Sequence, residues 1–252
     1  MNELIQAIQG RGALLGTLIT VASPSVSESL SASGLDWLFF DLEHSVLDLA
    51  AVQSMIQAMR PGCLSFIRVE EPAAVYVKRA LDTGCSGVIV PQVNSVAIAR
   101  AMVSAAKFAP LGARGVGLGR AVGYGASLAA GLKSENQRTS LVAQIEHVDA
   151  VAAVDQIVAI EGIDAVLVGP YDLSSSLGIP GEVTDSRVQD RIQRVLDAAR
   201  AAGKPAGIFV GSAEAARREI ARGFKFVAVG SDLTHLAAAA QALCAAVGPR
   251  GG

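Results

Sequence analysis

Two carboxylates, a glutamine, a histidine and an arginine carry the chemistry that this sequence could do. Glu146 and Asp172 each follow a short apolar run. Carboxylate oxygens are hard ligands, and two of them can hold one divalent ion while leaving positions open for a substrate. No histidine pair or cysteine set accompanies them, so magnesium or manganese suits the donors better than structural zinc. Each carboxylate could instead cap the segment that follows it. Gln144 precedes Glu146 by two residues, which on a strand puts both side chains on one face. A buried glutamine needs partners, in a ligand or in a neighbouring strand. His44 ends the run Asp41-Leu42-Glu43-His44. A neighbouring carboxylate fixes a histidine's tautomer and tunes its basicity, so His44 is a candidate general base, with a structural role as the alternative. Arg68 suits a carboxylate or an enolate oxygen gaining negative charge, or else a salt bridge to Glu70 or Asp41.

The lysines narrow the chemistry further. Lys78, Lys107 and Lys133 sit on helical patterns, and Lys204 and Lys225 stand where strands begin. None is positioned to form a Schiff base from a strand's C-terminal end, so carbonyl chemistry here would need a metal ion as electron sink. The stretch Gly112-Ala113-Arg114-Gly115-Val116-Gly117-Leu118-Gly119 lacks the spacing of a phosphate loop or a dinucleotide turn. A shaped loop lining the site is the expectation for it.

These residues need elements that bring them together. Continuous apolar runs at 14–20, 37–42, 65–69, 87–91, 141–145, 165–168, 206–210 and 226–229 read as parallel strands covered on both faces. Helical patterns lie between them: 48–60 with an Asp48 cap, 72–82 with Pro72 near its start, 95–107, 149–159, 185–202, 212–222 and 233–247. Eight strand–helix units at about 31 residues each predict an α/β fold of the (β/α)8 barrel type, with an open doubly wound sheet as the competitor. No linker divides the chain, so residues 1–252 read as a single domain. In such a barrel the active site lies at the C-terminal ends of the strands. Asp41 to His44, Arg68, Gln92, Gln144, Glu146, Tyr171 and Asp172 all fall there.

Composition excludes other classes. The 252 residues are 51% hydrophobic and 17% charged, which rules out a disordered chain. The net charge of −2 comes with no basic block, so no nucleic-acid partner is expected. No apolar run approaches a membrane span, and Glu3 interrupts any resemblance to a signal peptide. Cys63, Cys85 and Cys244 form no C-x-x-C pair and fit a reducing, cytoplasmic setting.

Several of these residues, in this order, resemble one family. Asp41-Leu42-Glu43-His44, Arg68, Leu81-Asp82 with Gly84, Val90-Pro91, the 112–117 segment, Gln144-Ile145-Glu146 and Gly169-Pro170-Tyr171-Asp172-Leu173-Ser174 are similar to the HpcH/HpaI aldolases. The likeness runs along essentially the whole chain. It implies a phosphoenolpyruvate/pyruvate-type barrel and a class II aldolase that cleaves 4-hydroxy-2-oxo acids to pyruvate and an aldehyde. The cofactor implied is a divalent ion (Mg2+, Mn2+ or Co2+) held by Glu146 and Asp172. By the same resemblance His44 is the base in a dyad with Asp41, Arg68 contacts the keto oxygen, and Gln144 contacts the bound oxo acid. The backbone of Tyr171 and Asp172 receives the carboxylate, and Asp82 is linked to the site, through a neighbouring subunit if not directly. The family's homo-oligomers imply a hexamer, a trimer of dimers, with the 233–247 helix exchanged between subunits. Leu42 and Leu18 stand where relatives often carry glycine and an aromatic residue, which bears on the aldehyde accepted. The competing expectations are an acyl-CoA lyase or oxo-acid decarboxylase on the same barrel, and a non-catalytic barrel that binds an oxo acid.

Overall fold

The computed structural model describes residues 2–248. Eight strands, β1 (Leu14–Ile19), β2 (Trp37–Asp41), β3 (Leu64–Arg68), β4 (Gly87–Val90), β5 (Ser140–Ile145), β6 (Ala165–Val168), β7 (Ala206–Val210) and β8 (Phe226–Ser231), follow one another in space as in sequence. Each pairs in parallel with the next, and β8 returns to β1, closing a (β/α)8 barrel. All eight expected strands form.

The helices are α1 (Glu3–Arg11), α2 (Pro24–Ser31), α3 (Leu49–Ala58), α4 (Ala74–Asp82), α5 (Val96–Ala106), α6 (Leu128–Arg138), α7 (Val148–Ala152), α8 (Val154–Val158), α9 (Pro170–Ser176), α10 (Ser186–Ala201), α11 (Ala213–Arg222) and α12 (Asp232–Val247). Asp48, Ser95, Asp185, Ser212 and Ser231 cap α3, α5, α10, α11 and α12 with side-chain oxygens on first-turn amides. The single helix expected over 149–159 is two short ones, broken at Ala153, whose ψ of 1° leaves the helical range. None of the helices of the described residues is long and apolar enough to cross a membrane.

Period-two alternation sorts each strand into an outer face under the helices and an inner face within the barrel. On β2, Leu38 and Phe40 belong to the outer core, and Trp37 and Phe39 to the inner one. The Trp37 ring lies 5.7 Å from both Phe66 and Phe226, edge-on to each. Three inward glycines make room for these rings. A Cβ on Gly16 would stand 2.5 Å from Trp37, one on Gly87 2.6 Å from Phe66, and one on Gly207 2.3 Å from Phe226. Leu4 of α1 joins the same inner cluster. Further along, the inward series turns polar: Asp41 follows Phe39, Arg68 follows Phe66, and Gln144 follows Val142.

The glycine-rich segment corrects an expectation. It follows α5 and precedes β5, so it runs along the N-terminal face of the barrel, opposite the mouth. It cannot line the site of its own chain. A 3-10 turn at Arg120–Gly125 and α6 complete the connection. Arg114 anchors it from within: the buried guanidinium donates to Asp82 Oδ1 at 2.7 Å and stacks over Phe108 at 4.7 Å.

Candidate active site

Parallel register between β2 and β3 sets Asp41 beside Arg68. Both point inward, and the arginine forks onto the carboxylate, with Nε 2.9 Å from Oδ1 and Nη2 2.7 Å from Oδ2. Its Nη1 lies 3.1 Å from Glu43, and its plane sits over the Phe39 ring at 5.3 Å. Burial works against the Arg68 charge, but the Asp41 hydrogen bonds and the charges of Asp41, Glu43 and Glu146 outweigh it and raise the pKa further. Arg68 is therefore a fixed cation aimed into the mouth. The expected salt bridge to Asp41 is present, with Glu43 rather than Glu70 as the second partner.

Asp41, 1% exposed, also accepts from the backbone amides of Glu43 at 3.1 Å and His44 at 3.3 Å. It thus holds the turn that carries the histidine. The His44 side chain is 62% exposed, and its Nε2 lies 3.8 Å from the Glu43 carboxylate. The expected His44–Asp41 dyad is joined through the backbone, because Arg68 engages both carboxylate oxygens. The carboxylate beside the imidazole is Glu43, a residue whose partnership the sequence did not disclose. Burial, with the Asp41 charge, raises the Glu43 pKa against the opposing effects of Arg68, His44 and Gln92.

Glu146 follows β5 and is 4% exposed. Burial, with the nearby Glu43 and Asp172 charges, pushes its pKa up to about 7 against the hydrogen bonds that favour its ionised form. Those bonds come from the Gln144 side-chain amide to Oε2 and from the Gln92 backbone N–H to Oε1 at 2.7 Å. Gln92 adopts φ 51°, a left-handed conformation uncommon outside glycine, as it aims that amide at Glu146. Gln144 is thus tied to its own strand, and its Oε1 is buried without a partner. Glu146 bonds across to the β4 exit instead of capping the segment after it.

Asp172 lies in the first turn of α9, after the β6 exit at Gly169. Gly169 offers no side-chain cap, and a Cβ there would stand 2.9 Å from Glu146 Oε2 and 3.0 Å from Glu146 Cβ. Its bare backbone lets α9 close against Glu146. Asp172 joins Glu43, His44, Gln92, Asn94 and Glu146 around a cavity of about 270 Å³. It also joins Arg68, Gln144 and Tyr171 around an adjoining one of about 140 Å³. Among the described residues no group of three or more His, Cys, Asp or Glu gathers closely enough to form a complete metal cage. The donor set fits a hard cation held by two carboxylates, with its other positions filled by substrate or water oxygens. A carboxyl whose pKa is raised by burial, and further by the Glu43 and Asp172 charges, and an unpaired amide oxygen beside it both favour a positive ion.

A family model for the HpcH/HpaI aldolase/citrate lyase proteins matches residues 15–239. The chain belongs to that family. It is 36% identical over 242 residues to a 2-dehydro-3,6-dideoxy-6-sulfogluconate aldolase of Pseudomonas putida, covering 95% of this chain and 94% of that one. It is 35% identical over 239 residues to a hydroxypyruvate/pyruvate aldolase of Pseudomonas aeruginosa, covering 94% and 89%. The crystal structure of an HpcH/HpaI aldolase/citrate lyase family protein from Burkholderia cenocepacia J2315 superposes with a TM-score of 0.89 at 32% identity, covering 96% of this chain and 98% of that one.

Within this HpcH/HpaI barrel, one expected site residue stands apart. Asp82 ends α4, on the face opposite the mouth, and accepts from Arg114. A helix after a strand runs back toward that strand's start, so Asp82 cannot touch the site of its own chain. The lysines keep the same distance. Lys204 and Lys225 precede β7 and β8, and Lys107 is buried against Asp164 and Thr139 before β6 and β5. Lys78 and Lys133 lie on α4 and α6.

Proposed function

We propose that the chain is a divalent-metal-dependent pyruvate aldolase, which cleaves 4-hydroxy-2-oxo acids to pyruvate and an aldehyde and runs the reverse addition. The observation that carries this reading is the buried Glu146, held near a pKa of about 7 beside Asp172 and an unpartnered Gln144 oxygen. Mg2+, Mn2+ or Co2+ bound by Glu146 and Asp172 would supply Lewis acidity to the keto and carboxylate oxygens of an oxo acid. Arg68, immobilised by Asp41 and Glu43, meets the keto oxygen and stabilises the negative charge that develops there on enolisation. His44, with its ring open to the cavity beside Glu43, takes the methyl proton directly or through one water and returns it on protonation. Asp41 positions both, through the Arg68 fork and the amide of His44. Gln144 faces the oxo acid with its free oxygen, and the first-turn amides of Tyr171 and Asp172 receive the carboxylate.

The same reading includes a homo-oligomer. Every residue from Leu233 to Val247 is exposed, although the helix is built largely of alanine and leucine. Exchange of α12 between subunits in a hexamer would cover it, and Asp82 would reach a site only across such a boundary.

The test is exchange of pyruvate methyl protons with solvent deuterium, followed by NMR without any aldehyde. Chelator-stripped protein should show none, and Mn2+ or Mg2+ should restore it. Exchange that persists without a cation, or never begins with one, would overturn the assignment. A barrel that merely binds oxo acids exchanges nothing.

A further inference from the structure

We infer that Tyr171 sets which aldehyde the enzyme accepts, by closing the site to acceptors with an anionic far end. This rests on the pyruvate-aldolase reading. With pyruvate against Arg68, Gln144 and the first turn of α9, the remaining lining of the 140 Å³ cavity includes Leu18, Phe39, Phe209 and the Tyr171 side chain, together with the His44 imidazole. Apart from the Tyr171 phenol and the His44 imidazole that wall is apolar, and it holds no lysine and no arginine besides Arg68. Arg68, the guanidinium lining this cavity, is already engaged by Asp41 and Glu43.

A second cavity, of about 70 Å³, lies behind the same two rings. Tyr171 and Phe209 line both spaces, with their centroids 6.2 Å apart and their planes tilted by 58°. The phenol reaches from α9 to the turn after β7, since a Cβ on Gly211 would stand 3.8 Å from its hydroxyl. Tyr171 is thus a partition between two chambers. Arg218 and Glu219 line the far chamber. Arg218 Nε lies 3.2 Å from Glu219, which Arg222 also contacts at 3.3 Å. Two guanidinium groups on one carboxylate leave a surplus positive charge there.

The chemistry on the two sides differs accordingly. In the front chamber a carboxylate or sulfonate at the far end of an aldehyde would lose water without gaining a partner, which is costly. Behind the partition it would meet Arg218. Wild-type protein therefore takes short, uncharged aldehydes, and removal of the Tyr171 ring admits longer anionic ones.

The experiment compares kcat/KM for glycolaldehyde and for succinic semialdehyde, with pyruvate and Mn2+ saturating. The wild-type chain should favour glycolaldehyde by about tenfold or more. Tyr171→Ala should lower that ratio by about tenfold or more, through a gain on succinic semialdehyde, and Tyr171→Phe should keep it. Arg218→Gln added to Tyr171→Ala should reverse the gain. A wild-type preference for succinic semialdehyde, or a smaller shift on Tyr171→Ala, overturns the inference; a gain untouched by Arg218→Gln overturns its anion-binding part. Proton exchange by wild-type protein with pyruvate and saturating Mn2+, without any aldehyde, separates the two levels. No exchange sinks the aldolase reading, whereas exchange with an unmoved ratio sinks only the role of Tyr171.

Discussion

A carboxyl buried between Glu43 and Asp172 keeps its proton far above the usual carboxylate range. Glu146 titrates at about 7 in the folded chain and near 4.5 when unfolded. Between those values the native state holds a proton that the unfolded state has lost. Stability of the ion-free chain is therefore full below the unfolded value and falls as pH rises through the window, by on the order of 3 kcal/mol. A cation at Glu146 must displace that proton below pH 7. Mn2+ affinity should rise between pH 5.5 and about pH 7, approaching a tenfold gain per unit, and then level off. Calorimetric titration across that range checks it, and a flat profile would remove Glu146 from the binding site. The site's charged side chains were legible because they end apolar runs, where a polar residue has no packing reason to be. The Gln92 amide on Glu146 and the Glu43 contact with His44 were not. A backbone donor has no signature in residue type, and two acids within four residues at 41–44 do not reveal which one will stand beside the histidine.

At the level of elements, Gly169 is the join between β6 and the cation site. Gly169→Ala would press a methyl against Glu146 at 2.9–3.0 Å, and because Glu146 is held by Gln92 and Gln144 it has little room to yield. The variant should lose about tenfold or more in Mn2+ affinity, while its melting temperature without metal stays within a few degrees of wild type. Titration and thermal melts of one preparation decide this, and unchanged affinity would show that Glu146 can move aside. The strands were readable because both their faces are buried and their apolar runs are unbroken. The helices α1, α2, α6 and α9 were not. The polar half of α6, Lys-Ser-Glu-Asn-Gln-Arg, hides its packing face, and α9 begins at a Gly-Pro step that reads as a turn. The glycine-rich segment was assigned to the wrong end of the barrel for a topological reason. Composition marks a loop as shaped, but only its place after a helix, and not after a strand, sends it to the far face.

For the molecule as a whole, α12 is the part that a single chain leaves without cover. Its first turn is firmly attached: Asp232 accepts from the Thr20 and Val21 amides at 2.9 Å and from the Thr20 hydroxyl at 2.8 Å. Beyond it Leu236 and Leu243 are 68% and 66% exposed. Light scattering coupled to gel filtration should find a multimer, and Leu236→Asp should shift it to smaller species by burying a charge in any interface built on this helix. An unchanged mass would exclude α12 from the contact. The distribution of amines has its own outcome at this scale. With all five lysines on the outer helices or beneath the barrel floor, no lysine amine of the described residues reaches a carbonyl at the mouth of its own barrel. Borohydride added together with pyruvate should therefore leave the polypeptide without any covalently trapped three-carbon unit, by intact-mass spectrometry. Once the reductant is dialysed away, the protein should be as active as before.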